Sequence, residues 1–83
     1  MEFEWNPDKS ERNRQERGIG FEDVVTMFHG FVVQWQDTRR DYGEVRMNAV
    51  GTANGEIYRV TYTMRGAVMQ MISLYLRKIY CRL

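Results

Sequence analysis

Eighty-three residues with a net charge of +1 and 43% apolar side chains give room for one small folded domain, residues 1–83. A chain of this size buries roughly 60 to 65% of the surface its unfolded form exposes. No apolar run approaches the roughly 18 residues that cross a bilayer, so a membrane-spanning helix is excluded. The single Cys81 has no partner for an internal disulfide, and the N-terminus has neither a basic leader nor an apolar core, so a reduced, cytoplasmic setting is expected. Ten of the twelve basic residues are arginine, whose planar fork grips phosphate and stacks on bases. That bias favours nucleic acid, and it is equally what an arginine-rich coding sequence produces.

Met1 to Trp5 alternates like a short strand and is ended by Asn6-Pro7. Asn6 is suited to cap a helix whose first residue is Pro7, since the missing proline N–H costs nothing there. From Asp8 to Arg17 this helix is polar almost all round, acidic at its start and basic at its end, and Gly18 stops it. Phe21, Val24, Val25 and Phe28 then form the stripe of an amphipathic helix ending near Gly30, which is expected to cover a sheet. His29, at its end, reads as a cap or surface residue rather than a catalyst. Phe31 to Trp35 reads as a strand, and Gln36 to Gly43 as a charged loop.

Three alternating runs follow, Glu44 to Gly51, Glu56 to Thr63 and Ala67 to Ser73, and loops this short join antiparallel neighbours. With four residues in the first loop, Asn48 lies opposite Arg59, and the second turn sets Val60 opposite Met71. One face collects Val45, Met47, Ala49, Tyr58, Val60, Tyr62, Met69 and Met71 for the core; the other presents Arg46, Asn48, Arg59, Thr61 and Gln70. Beyond Ser73, Leu76, Ile79, Tyr80 and Leu83 share one helical face, so a short amphipathic helix is expected to close the chain. The fold class is therefore α+β, with an antiparallel sheet, two N-terminal helices packed on one face and a short C-terminal helix.

No metal-ligand spacing, phosphate-cradling glycine loop or nucleophile with an adjacent base is present, and one histidine excludes a two-histidine nuclease. Metal-free RNA cleavage needs less: an in-line 2′-hydroxyl, cations for the developing charge and a group that moves a proton. Arg46 and Arg59, one strand apart and offset by two residues, would have backbone positions roughly 7 to 8 Å apart and both reach one phosphate. Glu44, two residues before Arg46, would stay ionised beside it and accept a proton. A surface ion-pair ladder has the same composition, and spacing alone does not separate the two. Tyr42 and Tyr75 border the polar face, where an aromatic ring can stack on a base.

Five segments in order carry a family resemblance. Phe3-Glu4-Trp5-Asn6-Pro7-Asp8-Lys9, then Asn13, Gly18 and Phe21-Glu22-Asp23-Val24 through Phe28, resemble F-x-W-D-x-x-K, N-x-x-K-H-G and F-E-E-A-x-x-V-F. Gly43-Glu44-Val45-Arg46 is similar to G-E-x-R, Tyr62-Thr63-Met64-Arg65-Gly66 to Y-T-x-R-G, and Ile72-Ser73 to the start of I-S-A-R. These are motifs of the BrnT-type toxins of type II toxin-antitoxin systems, in the RelE/ParE superfamily. The resemblance implies a RelE-like fold and a ribonuclease that needs no cofactor and stops translation. It also implies a BrnA-like, ribbon-helix-helix antitoxin as partner, in a heterotetramer that binds operator DNA. By position the family's sheet arginines are Arg46 and Arg65. The expected catalytic residues are thus Glu44, Arg46 and Arg65, with Arg17, Arg59 and Tyr75 binding the substrate and no metal ligand. Glu16-Arg17 stands where the family has Lys-His, and Tyr75 stands where I-S-A-R has arginine. Those departures leave a second reading open, a weakened homologue acting as an antitoxin-binding or RNA-binding module.

Overall fold

Asn6 and Gly18 set the limits of the first helix as their chemistry dictates. The Asn6 carboxamide accepts from the backbone N–H groups of Asp8 and Lys9, Pro7 occupies the first turn, and Gly18, at φ 79°, closes the last turn by donating to Arg14 O. The computed structural model describes residues 2–77. In chain order these form β1 (Glu2–Glu4), α1 (Pro7–Arg17), a 3₁₀ helix (Phe21–His29), β2 (Val33–Gln36), β3 (Met47–Ala53), β4 (Glu56–Arg65) and β5 (Val68–Arg77). The strands make one sheet in the order β1-β5-β4-β3-β2. It is mixed rather than antiparallel as expected, because β1 runs parallel to β5 while every other pair is antiparallel. No helix among the described residues is long and apolar enough to cross a membrane.

The meander is present with a different register. Ala53 pairs with Glu56 around a two-residue turn in which Asn54 and Gly55 both take positive φ, 53° and 77°, the signature of a type I′ hairpin. Asn48 therefore lies opposite Thr61, and Arg59 opposite Val50, two residues from the expected pairing. A slip of two keeps every side chain on its face, so the core assignment survives for Ala49, Tyr58, Val60, Tyr62, Met69 and Met71, all buried, and for Met47, partly buried against them. Val45 is the exception. β3 begins only at Met47, and Val45 stands 60% exposed while its carbonyl accepts from Thr63 Oγ1 at 2.7 Å.

A bulge decides the last third of the sheet. Tyr62 pairs with Met71 but Thr61 pairs with Ser73, so Ile72 is an extra residue and the alternation of β5 reverses there. Leu74 enters the core, whereas Ser73 and Tyr75 join the polar face. The expected helix beyond Ser73 is not found where the chain is described: β5 continues to Arg77, and Ile79, Tyr80 and Leu83 lie outside the described residues. Bulge-shifted alternation kept Leu74 on the apolar face, and a helical period read from Leu76 onward could not register it.

The second helix winds as 3₁₀ rather than α. Its period of three lines up Phe21, Val24 and Met27, all fully buried, and moves Val25 and Phe28 to partly buried flanks. These three residues lie against the core face, where Ala49, Gly51 and Ala53 of β3 leave room. A Cβ on Gly51 would come within 2.5 Å of Met27 Cγ and 2.8 Å of Val32 Cγ1. Gly51→Ala is therefore expected to cost about 1–3 kcal/mol through overpacking, read as a lower urea midpoint at unchanged m-value.

The first helix, α1, has no apolar face to share the sheet with its neighbour, contrary to expectation. β1 stops at the Glu4–Gln70 pair, leaving the carbonyls of Ile72 and Leu74 without a strand partner on that flank. Lys9 Nζ donates to Ile72 O and Arg17 Nη1 donates to Leu74 O at 2.9 Å. Polar side chains thus take over where β1 ends. Ser10 ties α1 to the 3₁₀ helix, accepting from Phe21 N at 2.9 Å and donating to Glu22 at 2.8 Å, while Arg14 pairs with Glu22 and Asp23.

Candidate nucleic-acid interface and active site

The polar face of the sheet is built in rows. Trp35, Asn48, Thr61 and Ser73 stand side by side across β2, β3, β4 and β5, and Val33, Val50, Arg59 and Tyr75 form the next row. Asn48, almost wholly buried, accepts from Thr61 Oγ1 at 2.7 Å, which pairs the hydroxyl with the carboxamide oxygen and fixes the floor. Over this floor lies a half-open groove of about 400 Å³ lined by Asp37, Arg39, Tyr42, Arg46, Arg59 and Tyr75, with the Thr61 and Ser73 hydroxyls beneath.

Two of its three arginines, and a third cation at its border, lie against rings. The Arg46 guanidinium lies 4.1 Å from the Tyr42 ring centroid, that of Arg59 lies 5.8 Å from Trp35, and that of Arg17 lies 5.4 Å from Tyr75. A cation on an aromatic face is oriented without being neutralised, so its charge stays available to an anion. The Nε atoms of Arg46 and Arg59 are buried and make no hydrogen bond among the described residues. Glu44 is near Arg46, at 3.5 Å from Nε, which is an ion pair but too long for a good hydrogen bond.

The loop between β2 and β3 owes its shape to Asp37. Its backbone N–H donates to Arg46 O at 2.8 Å, and its side chain, 2% exposed, accepts from Arg39 Nε and Nη2 at 3.0 and 2.8 Å and from the Tyr42 hydroxyl at 3.3 Å. Through Tyr42, Asp37 sets the ring on which Arg46 lies. The hydrogen bonds from Arg39 hold the Asp37 carboxyl well below its ordinary value of 3.8, against a smaller opposing effect of burial. A carboxyl depressed on folding adds stability that is complete above its unfolded pKa and lost as pH falls through the folded one. The gap in unfolding free energy between the parent and Asp37→Asn is accordingly expected to be full near pH 6 and to narrow below about pH 4. Urea titrations at a series of pH values measure it.

Of the residues singled out in the sequence, Arg46, Arg59 and Tyr75 line the groove together. Arg17 borders it through Tyr75, and Glu44 reaches it only through Arg46. Arg65 does not line it. Exposed at the end of β4 and paired with Val68, it lies four residues beyond Thr61, about 13 Å along the strand. The register also separates Arg46 from Arg59. Arg59 faces Val50, so Arg46 is four positions away, about 13 Å along the strand rather than the expected 7 to 8 Å. The two arginines hold opposite ends of one groove. Asp37, Trp35 and Ser73 were missed: Asp37 lay in a charged loop with no periodicity, and Ser73 changes face only because of the bulge.

A search of the curated proteins finds no match. The family described as "Ribonuclease toxin, BrnT, of type II toxin-antitoxin system" matches residues 5–78, nearly the whole chain, including every groove residue named above. The chain belongs to the BrnT family, the ribonuclease toxins of type II toxin-antitoxin systems, and such a system implies an antitoxin partner.

Proposed function

We propose that the protein is an endoribonuclease that needs no metal or other cofactor and inhibits translation by cutting RNA in the groove between Arg46 and Arg59. The observation that carries this is the pair of ring-held guanidiniums, Arg46 on Tyr42 and Arg59 on Trp35, belonging to two residues that line one polar groove. A phosphodiester between them accepts from both ends of the groove. The 2′-oxygen attacks phosphorus, the bond to the 5′-oxygen breaks, and the products are a 2′,3′-cyclic phosphate and a free 5′-hydroxyl. Glu44 takes the 2′-hydroxyl proton, water protonates the leaving oxygen, and Arg46 and Arg59 stabilise the added charge on the phosphoryl oxygens. Tyr75 offers its exposed ring to a neighbouring base.

Arg17 serves binding at the groove's border. Arg65, outside the groove, is assigned to this function by motif alone, as a contact to a more distant part of the strand. The antitoxin is proposed to be a BrnA-like ribbon-helix-helix protein, forming with this chain a cytoplasmic heterotetramer that binds operator DNA. Kinship with the RelE/ParE toxins rests on the order of the sequence motifs. Induced expression in bacteria, with protein synthesis and messenger RNA followed in parallel, tests the reading. Growth arrest with cleaved messenger supports it. Growth arrest with intact RNA refutes it, and unimpaired growth at full expression favours the weakened interaction module instead.

A further inference from the structure

Beside the groove, and sharing Ser73 and Tyr75 with it, lies a smaller recess of about 120 Å³ lined by Lys9, Asn13 and Arg17 of α1 and by Leu74. We propose that this recess is a second phosphate subsite, which takes a backbone phosphate next to the scissile one on an RNA strand laid across Tyr75; the assignment rests on the ribonuclease reading above.

Lys9, Asn13 and Arg17 are spaced by four and so stand on one face of α1, each about 6 Å further along the axis. Lys9 and Arg17 each give a hydrogen bond to a β5 carbonyl, Ile72 O and Leu74 O. Those bonds fix the two side chains but do not neutralise them, because an ammonium has three donors, a guanidinium has five, and a carbonyl carries no net charge. Neither cation makes an ion pair with a carboxylate among the described residues; the ion pairs found there involve Arg14, Arg39 and Arg46. Between them Asn13 is only 8% exposed, and its Nδ2 is buried with no acceptor. An unpaired buried donor destabilises a fold unless something accepts from it. An anionic oxygen in the recess would accept from Asn13 while facing two fixed positive charges. Because Ser73 and Tyr75 belong to both cavities, a strand leaving the groove past the Tyr75 ring enters this one.

The rival account is that Lys9, Asn13 and Arg17 only seal the flank of β5. Asn13→Asp separates the two, since it keeps size and shape but puts a carboxylate between the cations. Binding of a short, single-stranded 2′-O-methyl RNA, which cannot be cut, is measured by fluorescence anisotropy over a salt series, with melting temperatures alongside. The subsite predicts at least a tenfold loss of affinity at low salt at a melting temperature equal to or above the parent's. It also predicts a log-log salt slope shallower by about 0.7, one phosphate contact on a single strand. Lys9→Met is the second variant should Asn13→Asp fail to fold, with the same loss of slope expected. Parent and variant binding with equal affinity and slope overturns the subsite and leaves the ribonuclease reading in place. A parent that binds no RNA overturns that reading and the subsite with it. A variant that is no longer stabilised by inorganic phosphate yet binds RNA as the parent does shows a free-anion site and overturns the RNA assignment.

Discussion

Arg46→Ala is expected to lower RNA cleavage by about 100- to 1,000-fold and to abolish growth inhibition, with the circular dichroism spectrum and melting temperature close to the parent's. The size follows from the role proposed for the side chain: one preorganised donor to a developing oxyanion is worth about 2.7–4 kcal/mol in a partly water-excluded site. Its small effect on stability follows from its place. Arg46 precedes β3, on the face opposite the core, and its side-chain contacts are the Tyr42 ring and a long ion pair to Glu44. The ring contact contributes only about 0.5–1 kcal/mol at such a site. Arg46→Lys should recover part of the activity, since it keeps the charge but loses the planar fork and the stack. Cleavage of labelled RNA under single-turnover conditions measures both variants, and full activity of Arg46→Ala would remove the residue from the site.

Val60→Asp is expected to have the opposite profile, unfolding the protein outright. Val60 is fully buried between Ala49 and Leu74 in the pairing of β3, β4 and β5, so a carboxylate there meets only apolar neighbours. An unpaired charge in such a place costs several kcal/mol even after it takes up a proton, against a total stability of roughly 5–15 kcal/mol for a domain. Loss of the cooperative thermal transition is the expected result. A soluble, cooperatively melting Val60→Asp protein would mean that the faces of the sheet are reversed.

Much of this architecture was legible because alternation depends on parity alone. The Asn54-Gly55 turn is two residues shorter than the loop inferred from the sequence, yet Val60 and Tyr62 still point inward and Arg59 and Thr61 outward. Distances were not legible for the same reason, since a slip of two preserves faces while moving Arg59 from Asn48 to Val50 and lengthening its separation from Arg46. The bulge at Ile72 is a break in parity with no residue to announce it, and β5 runs on to Arg77, past the Ser73 at which the strand was expected to end. Asn6, Pro7 and Gly18 marked α1 correctly because capping is local. How α1 meets the sheet depends on where β1 stops, which is a tertiary matter. The groove followed the same division: Arg46, Arg59 and Tyr75, placed by face and motif, do line it together, but the rings of Tyr42 and Trp35 that hold two of these cations become visible only once β2 lies beside β3.

Whether the groove between Arg46 and Arg59 cuts RNA through the substrate's own 2′-hydroxyl is decided by the purified protein acting on a defined single-stranded RNA in the presence of a chelator. The cut ends are identified by mass, before and after a single 2′-deoxy substitution at the cleaved nucleotide. Cleavage is expected to persist in chelator, to leave a 2′,3′-cyclic phosphate on one product and a 5′-hydroxyl on the other, and to be absent at the substituted position. Cleavage that continues at the 2′-deoxy position, or that stops when metal is removed, would contradict that expectation.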